Sequence, residues 1–300
     1  MPWLLARSKK NNRRRLKVFL TGASSGIGAA LAKAYAARGA ECALVARRID
    51  ALESLRHSLP RADAHRSFAV DVTDADALAA AAASYMQACG VPDIVIANAG
   101  ISAGTDTGDP EDLAVFRRIV ETNLIATVAT FTPFVKMMRE APVPEGGRRL
   151  VVIASVAGVR GLAGSGAYSA SKAAAISYAE SLRIELHDTP IRVVTIAPGF
   201  IATPMTAGNP YPMPFLMPVD RFAERAVRAI ASGTTFIVIP WQMGWVARML
   251  RIMPNVLFDA AFAKAGRKPR ASRQPIAAAI DTRADARTAS HANTQEQHRD

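Results

Sequence analysis

The sequence predicts a doubly wound α/β fold, a parallel sheet of about seven strands with helices on both faces. Two observations carry that prediction. Short apolar runs without polar alternation recur between longer, Ala-rich helical stretches, and such runs are strands buried on both faces by covering helices. The first run also ends in a glycine-rich turn that opens at once into a helix, the beginning of a βαβ unit.

The strand candidates are "VFLT" (18–21), "CALVA" (42–46), "SFAVD" (67–71), "DIVIAN" (93–98), "LVVIAS" (150–155), "RVVTIA" (192–197) and "TFIVI" (235–239). Amphipathic helical stretches fall near 26–38, 50–59, 74–89, 111–139, 166–187 and 219–232. Residues 17–240 therefore read as one Rossmann-type domain, preceded by a basic arm at 1–16. A C-terminal extension follows at 241–265, and a polar stretch without periodicity at 266–300 is expected to be a disordered tail.

Charge is concentrated at the ends. The chain has 37 Lys/Arg and 25 Asp/Glu, a net charge of +12, but residues 1–17 hold seven basic groups and residues 266–300 hold seven against four acids. The body keeps 23 basic and 21 acidic residues and is nearly neutral. A nucleic-acid binder would build its charge into a folded face, so no nucleic-acid partner is expected. Two cysteines, Cys42 and Cys89, give no disulfide framework and suit a reducing, cytoplasmic setting. The opening "MPWLLARSKKNNRRR" has too short an apolar stretch for a signal peptide. Residues 193–219 contain six prolines and cannot be one helix, and 229–247 read as helix end, turn and strand. No transmembrane helix and no metal site are expected.

Two patterns carry chemistry. In "TGASSGIG" (21–28), Gly22, Gly26 and Gly28 allow a tight turn and close backbone approach, while Ser24, Ser25 and Ile27 complete it. The helix N-terminus that follows offers free N–H groups and a positive dipole end to a pyrophosphate. The second strand ends in Arg47 and Arg48, where dinucleotide folds that take a free 2′-hydroxyl carry an acid; arginine there accommodates a 2′-phosphate, which favours NADP(H) over NAD. In "YSASK" (168–172), Tyr168 and Lys172 stand one helical turn apart on one face. A free tyrosine has a pKa of about 10, and an adjacent cation is expected to lower it toward general acid–base work near pH 7.

With "DVTD" (71–74), "NAG" (98–100), "ETNL" (121–124), "IASVAG" (153–158) and "APGFIATPM" (197–205), these motifs resemble the short-chain dehydrogenase/reductase family, short single-domain branch, over about residues 16–240. The resemblance implies that Asp71 and Val72 hold the adenine and that Asn98, Ala99 and Gly100 line the cofactor and brace the sheet. It also implies that Pro198, Gly199, Ile201 and Thr203 hold the nicotinamide. Ser155, Tyr168, Lys172 and Asn123 become the catalytic set: Tyr168 the proton donor, Ser155 a hydrogen bond to the reacting oxygen, Lys172 a partner of phenol and ribose, Asn123 the holder of a water leading to solvent.

Beyond the motifs, "TPMTAGNPYPMPFLMP" (203–218) is Pro- and Met-rich and uncharged, and is expected to be an irregular flap suited to an apolar carbonyl or alcohol substrate. In the extension, Trp245, Met249, Ile252 and Met253 share an apolar stripe flanked by Arg248 and Arg251; a dimer helix, a lid support and a peripheral membrane contact all fit it. The expected protein is an NADP(H)-dependent oxidoreductase and a homo-oligomer. Its alternatives are a non-catalytic dinucleotide-binding regulator and a membrane-surface reductase.

Overall fold

A computed structural model describes residues 14–263 and 266–270. From the N-terminal side its elements are β1 (Lys17–Thr21), α1 (Gly26–Ala37), β2 (Glu41–Ala46), α2 (Ile49–Ser58), β3 (Arg66–Ala69), α3 (Ala75–Cys89) and β4 (Ile94–Ala97). Next come α4 (Asp112–Val120), α5 (Ala126–Glu140), β5 (Arg148–Ile153), α6 (Gly166–Glu185) and β6 (Ile191–Pro198). The chain then forms β7 (Ile201–Ala202), α7 (Pro204–Ala207), β8 (Met217–Pro218), α8 (Val219–Ser232), β9 (Phe236–Ile239), α9 (Trp241–Ile252) and α10 (Asn255–Phe262).

Seven strands pair in the order β3-β2-β1-β4-β5-β6-β9, and each pair is parallel. Alternate residues of one strand feed opposite apolar layers. Val18 and Leu20 join the layer that includes α1, α2 and α8 side chains, while Phe19 joins that of α3, α5 and α6. Phe19 meets Phe134 at 4.8 Å and Tyr85 at 5.7 Å between ring centroids. Both faces of the sheet are thus removed from water, which is why its strands are apolar without alternation. Burial of this kind stabilises by about 25 cal/mol per Å² of apolar surface.

The chain runs outward from β1 to β3, then returns to β4 beside β1 and continues the other way. That reversal opens a crevice beyond the carboxyl ends of β1 and β4, where ligands of such sheets bind. Two expectations need correction. The helix expected over 111–139 is interrupted by a wider π turn at Glu121–Ile125 between α4 and α5. There the Asn123 side chain turns inward, and the backbone carbonyl of Asn123 accepts a hydrogen bond from Thr127 Oγ1 at 2.9 Å. The tail expected to be disordered from 266 is ordered against the domain at residues 266–270; the remainder of that reading, 271–300, lies outside the described residues.

Of the basic arm only residues 14–16 are described. Arg14 pairs with Asp93 at 3.0 Å and Arg15 with Glu41 at 3.2 Å, at the amino end of the sheet. The extension packs rather than hangs free: Met243 and Ala247 of α9 are buried. Arg160 donates to the Leu250 and Met253 carbonyls and lies 3.9 Å from the Phe258 ring centre, which holds α9 and α10 together. Among the described residues no helix is long and apolar enough to cross a membrane.

Candidate active site

The glycine turn is built by steric exclusion. Gly22 sits at φ +69°, and a Cβ on Gly28 would lie 2.1 Å from the Gly22 carbonyl oxygen, so neither position admits an ordinary side chain without moving backbone. Asn98 locks the turn to the sheet: its Nδ2 donates to the Thr21 carbonyl at 3.0 Å and the Gly22 carbonyl at 3.2 Å. Helix α1 starts at Gly26 with no acid in its first turn, leaving its dipole end open to an anion.

From this turn a cleft of about 650 Å³ follows the carboxyl edge of the sheet. Gly22, Ser24, Ser25, Gly26, Ile27 and Gly28 form its floor at one end. Arg47 and Arg48, both exposed, stand on its rim after β2, and Asp71 and Val72 follow β3. Asp71 Oδ1 accepts from Thr73 N at 3.1 Å and Thr73 Oγ1 at 2.8 Å, fixing that loop. Asn98, Ala99 and Gly100 line the middle, and Pro198, Gly199, Ile201 and Thr203 the far end beside Ser155, Tyr168 and Lys172. A site of this size, with a glycine cradle, a helix N-terminus and a basic rim, fits a dinucleotide.

Ser155 follows β5, and its Oγ accepts from Ala157 N at 3.1 Å, which fixes the hydroxyl at the strand end. Tyr168 lies in the first turn of α6 and Lys172 one turn on, its Nζ 6.0 Å from the Tyr168 ring centre. Lys172 is buried and donates to the Ile153 carbonyl at 2.8 Å. Burial lowers its pKa to about 8. Burial raises the Tyr168 pKa, while the Ser155 hydroxyl acts to lower it. The electrostatic expectation is thereby corrected: Lys172, turned to the Ile153 carbonyl, does not bring Tyr168 below its ordinary range, and desolvation dominates.

Asn123 stands behind the wall, fully buried. Its Oδ1 accepts from Ile101 N at 2.8 Å, and its Nδ2 donates to the Ile101 carbonyl and to Ser171 Oγ, both at 3.0 Å. Ser171 Oγ in turn donates to the Tyr168 carbonyl at 2.8 Å, so one hydrogen-bonded chain links the π turn to the first turn of α6. A Cβ on Gly100 would meet Asn123 Oδ1 at 3.1 Å and Lys172 Nζ at 3.5 Å; that glycine keeps a gap between them.

The flap keeps only the short pieces α7 and β8 as regular structure, the latter paired with β7 just before the flap. Met205, Phe215 and Leu216 are about half exposed, and Tyr211 packs on Phe200 with ring centres 6.4 Å apart. Met217, read as part of the flap's apolar cover, instead belongs to the core layer around α8. The cleft also takes in Met205 and Thr206 of the flap, together with Arg118 and Thr122, which sequence reasoning missed. The i, i+4 spacing of Arg118 and Thr122 ahead of "NL" was the available signal. Lys268 and Ser102 were missed as well; the Lys268 ammonium lies 5.8 Å from the Tyr168 ring centre and donates to Ser102 Oγ at 2.8 Å.

The fold and this cleft define a dinucleotide-binding α/β protein. Residues 17–211 match the family described as short chain dehydrogenase. An uncharacterized oxidoreductase of Myxococcus xanthus is 39% identical over 243 residues, 81% of this chain and 94% of that protein. Among solved structures, an alcohol dehydrogenase of Thermococcus sibiricus complexed with 5-hydroxy-NADP superposes with a TM-score of 0.65 at 25% identity, over 75% of this chain and 96% of that one. The L-sorbose reductase of Gluconobacter frateurii, complexed with NADPH and L-sorbose, gives 0.67 at 26% identity, over 76% and 95%. The chain belongs to the short-chain dehydrogenase/reductase family and is an NAD(P)-dependent oxidoreductase.

Proposed function

We propose that this enzyme uses NADP(H) to interconvert a carbonyl and a secondary alcohol on a largely apolar substrate. The observation that carries the reading is the convergence of Ser155, Tyr168 and Lys172 on the wall of a cleft floored by the glycine turn. The bound nicotinamide supplies or accepts the hydride. In reduction, Tyr168 gives its phenolic proton to the substrate oxygen as that oxygen gains charge. Ser155 Oγ, fixed at its strand end, donates a hydrogen bond to the same oxygen. Lys172, one turn from the phenol, offers its remaining N–H donors to the ribose. Asn123 is a positioning residue: with both amide hydrogens committed, it holds the Tyr168 turn, and a spare lone pair of its Oδ1 can take the water that leads from Lys172 to solvent.

The coenzyme preference rests on Arg47 and Arg48 at the rim, and the NADP-type ligands of the two solved relatives support it. Arg47→Asp should raise the KM for NADPH about tenfold, the modest value an exposed charge warrants, and leave NADH use equal or better. A wild type that prefers NADH by kcat/KM removes this part of the reading. The half-exposed Met205, Phe215 and Leu216 favour an apolar substrate body, since covering one removes them from water. Oxidation of NADPH followed against a panel of ketones, aldehydes and acyl esters tests the whole; no turnover of any, with NADPH bound, favours a dinucleotide-binding regulator. A cytoplasmic location accords with free Cys42 and Cys89, and a homo-oligomer accords with the exposed Leu113, Phe116 and Ile125 of the α4–α5 region.

One observation favours a second, compatible reading. On α9, Trp245, Met249 and Ile252 are 59%, 56% and 69% exposed, Val256 and Leu257 of α10 extend the patch, and Arg248 and Arg251 lie on the same helix as its first three. An apolar surface with tryptophan and arginine suits the interface of an anionic bilayer. The protein should float with phosphatidylserine-containing liposomes, and Trp245→Ser with Met249→Ser should abolish flotation. If wild type stays at the bottom of the gradient, the patch is not a membrane surface.

A further inference from the structure

Residues 266–270 form a strap beside the site, between the flap and the loop after β4. At one end Gly266 packs against Tyr211 of the flap, where a Cβ would come within 2.8 Å of the tyrosine. At the other, Gly104 N donates to the Pro269 carbonyl at 2.9 Å, and Arg270 pairs with Asp109 and with Asp112, the latter at 3.0 Å. The strap thus ties the flap to the loop that follows β4 and passes over Tyr168 on the way.

Midway along it, Lys268 points its ammonium at the catalytic wall. It donates a hydrogen bond to Ser102 Oγ at 2.8 Å and lies 5.8 Å from the Tyr168 ring centre. The nearby acids Asp109 and Asp112 are neutralised by Arg270 instead. Among the described residues no carboxylate pairs with Lys268 in an ion bridge, although burial costs its charge enough to lower its pKa to about 8. Placing an ammonium with unused donors in a partly dry site is unfavourable unless an anion completes it. Lys268 remains mostly charged at pH 7, so it can serve such an anion.

We propose that Lys268 is a specificity-determining residue that binds a carboxylate carried by the substrate, an apolar ketone or alcohol whose reacting oxygen lies at Tyr168. The proposal rests on the catalytic reading of Tyr168 given above and names the substrate class more closely: a keto acid or hydroxy acid with an apolar body. The flap covers the body, and the strap recognises the acid. Ser102 holds the lysine in place until the carboxylate arrives.

The test compares benzoylpropionate with its methyl ester, an acid and a neutral ketone of nearly one shape, using full-length protein and NADPH. Wild type should reduce the acid with a kcat/KM at least about tenfold above the ester, the effect of one charge-assisted contact. Lys268→Met should cut the acid-to-ester ratio by about that factor through KM, and Lys268→Arg should restore most of it. Gly104→Ala, whose new Cβ would meet the Lys268 carbonyl oxygen at 2.1 Å, should unseat the strap and cut the same ratio with Lys268 still present. Direct titration of the acid into the complex with NADP+ gives a reading that does not need turnover. Tighter binding to wild type than to Lys268→Met upholds the proposal even if neither ketone is reduced, a result that would count against the role of Tyr168 alone. Equal affinity of both proteins for the acid, or an acid-to-ester ratio unmoved by Lys268→Met, overturns it.

Discussion

Tyr168→Phe should lower kcat for carbonyl reduction about a thousandfold, the middle of the range for loss of a positioned general acid. That corresponds to roughly 4 kcal/mol of barrier. The ring itself remains, so the packing around it, including the two lysines at 6.0 and 5.8 Å, is unchanged. NADPH affinity should therefore stay within about twofold, which separates lost chemistry from a lost site. The pH dependence adds a second readout. Burial lowers Lys172 to about 8, so its ammonium is intact below that pH and is lost as pH rises through it. Reductive kcat/KM should accordingly fall above about pH 8, well before free tyrosine titrates at about 10. Stopped-flow NADPH oxidation across that range measures both effects, and near-normal turnover by the phenylalanine variant would remove Tyr168 from the mechanism.

Gly28→Ala should weaken NADPH binding by about a hundredfold or more, the scale on which a displacement of about 1 Å disables a positioned site. The methyl group would stand 2.1 Å from the Gly22 carbonyl oxygen and 2.7 Å from Asn98 Nδ2, so the turn must open and its brace must break. The affected contacts lie at the end of the sheet and not within it. The variant should therefore remain folded, with far-ultraviolet circular dichroism like that of wild type. Coenzyme titration by fluorescence checks the loss; unaltered affinity would mean that the turn does not approach the pyrophosphate.

The sheet was legible because its strands are apolar at successive positions, a pattern that survives without knowledge of the neighbours. The glycine turn and the Tyr168–Lys172 pair were legible for the same reason: each is defined by short spacings along the chain. What escaped depended on distant partners. The break at Asn123 answers to Ile101 and Ser171, 22 and 48 residues away. The electrostatics of Tyr168 depend on burial, which no i, i+4 spacing reports. Met217 lies in a Pro-rich run that looks like surface, yet it is held in the core layer that packs α8. The strap was hidden most completely, because Arg270 finds Asp109 across 161 residues and nothing local distinguishes "GRKPR" from the polar stretch after it.

The strap contributes no side chain to the apolar layers on either face of the sheet. Substitutions at Lys268 should consequently fall in the class of changes that cost little folding free energy, whereas Gly266 and Arg270 are held by Tyr211 and by buried Asp112. A residue beside Tyr168 in the wall of the cleft has no such latitude, since its neighbours are packed and buried. On the proposed role of Lys268, variation meets two very different terrains: a rigid interior that holds the hydride chemistry constant, and a surface ribbon on which one substitution would rewrite substrate preference. Saturation of position 268 is the economical library for changing what this enzyme accepts.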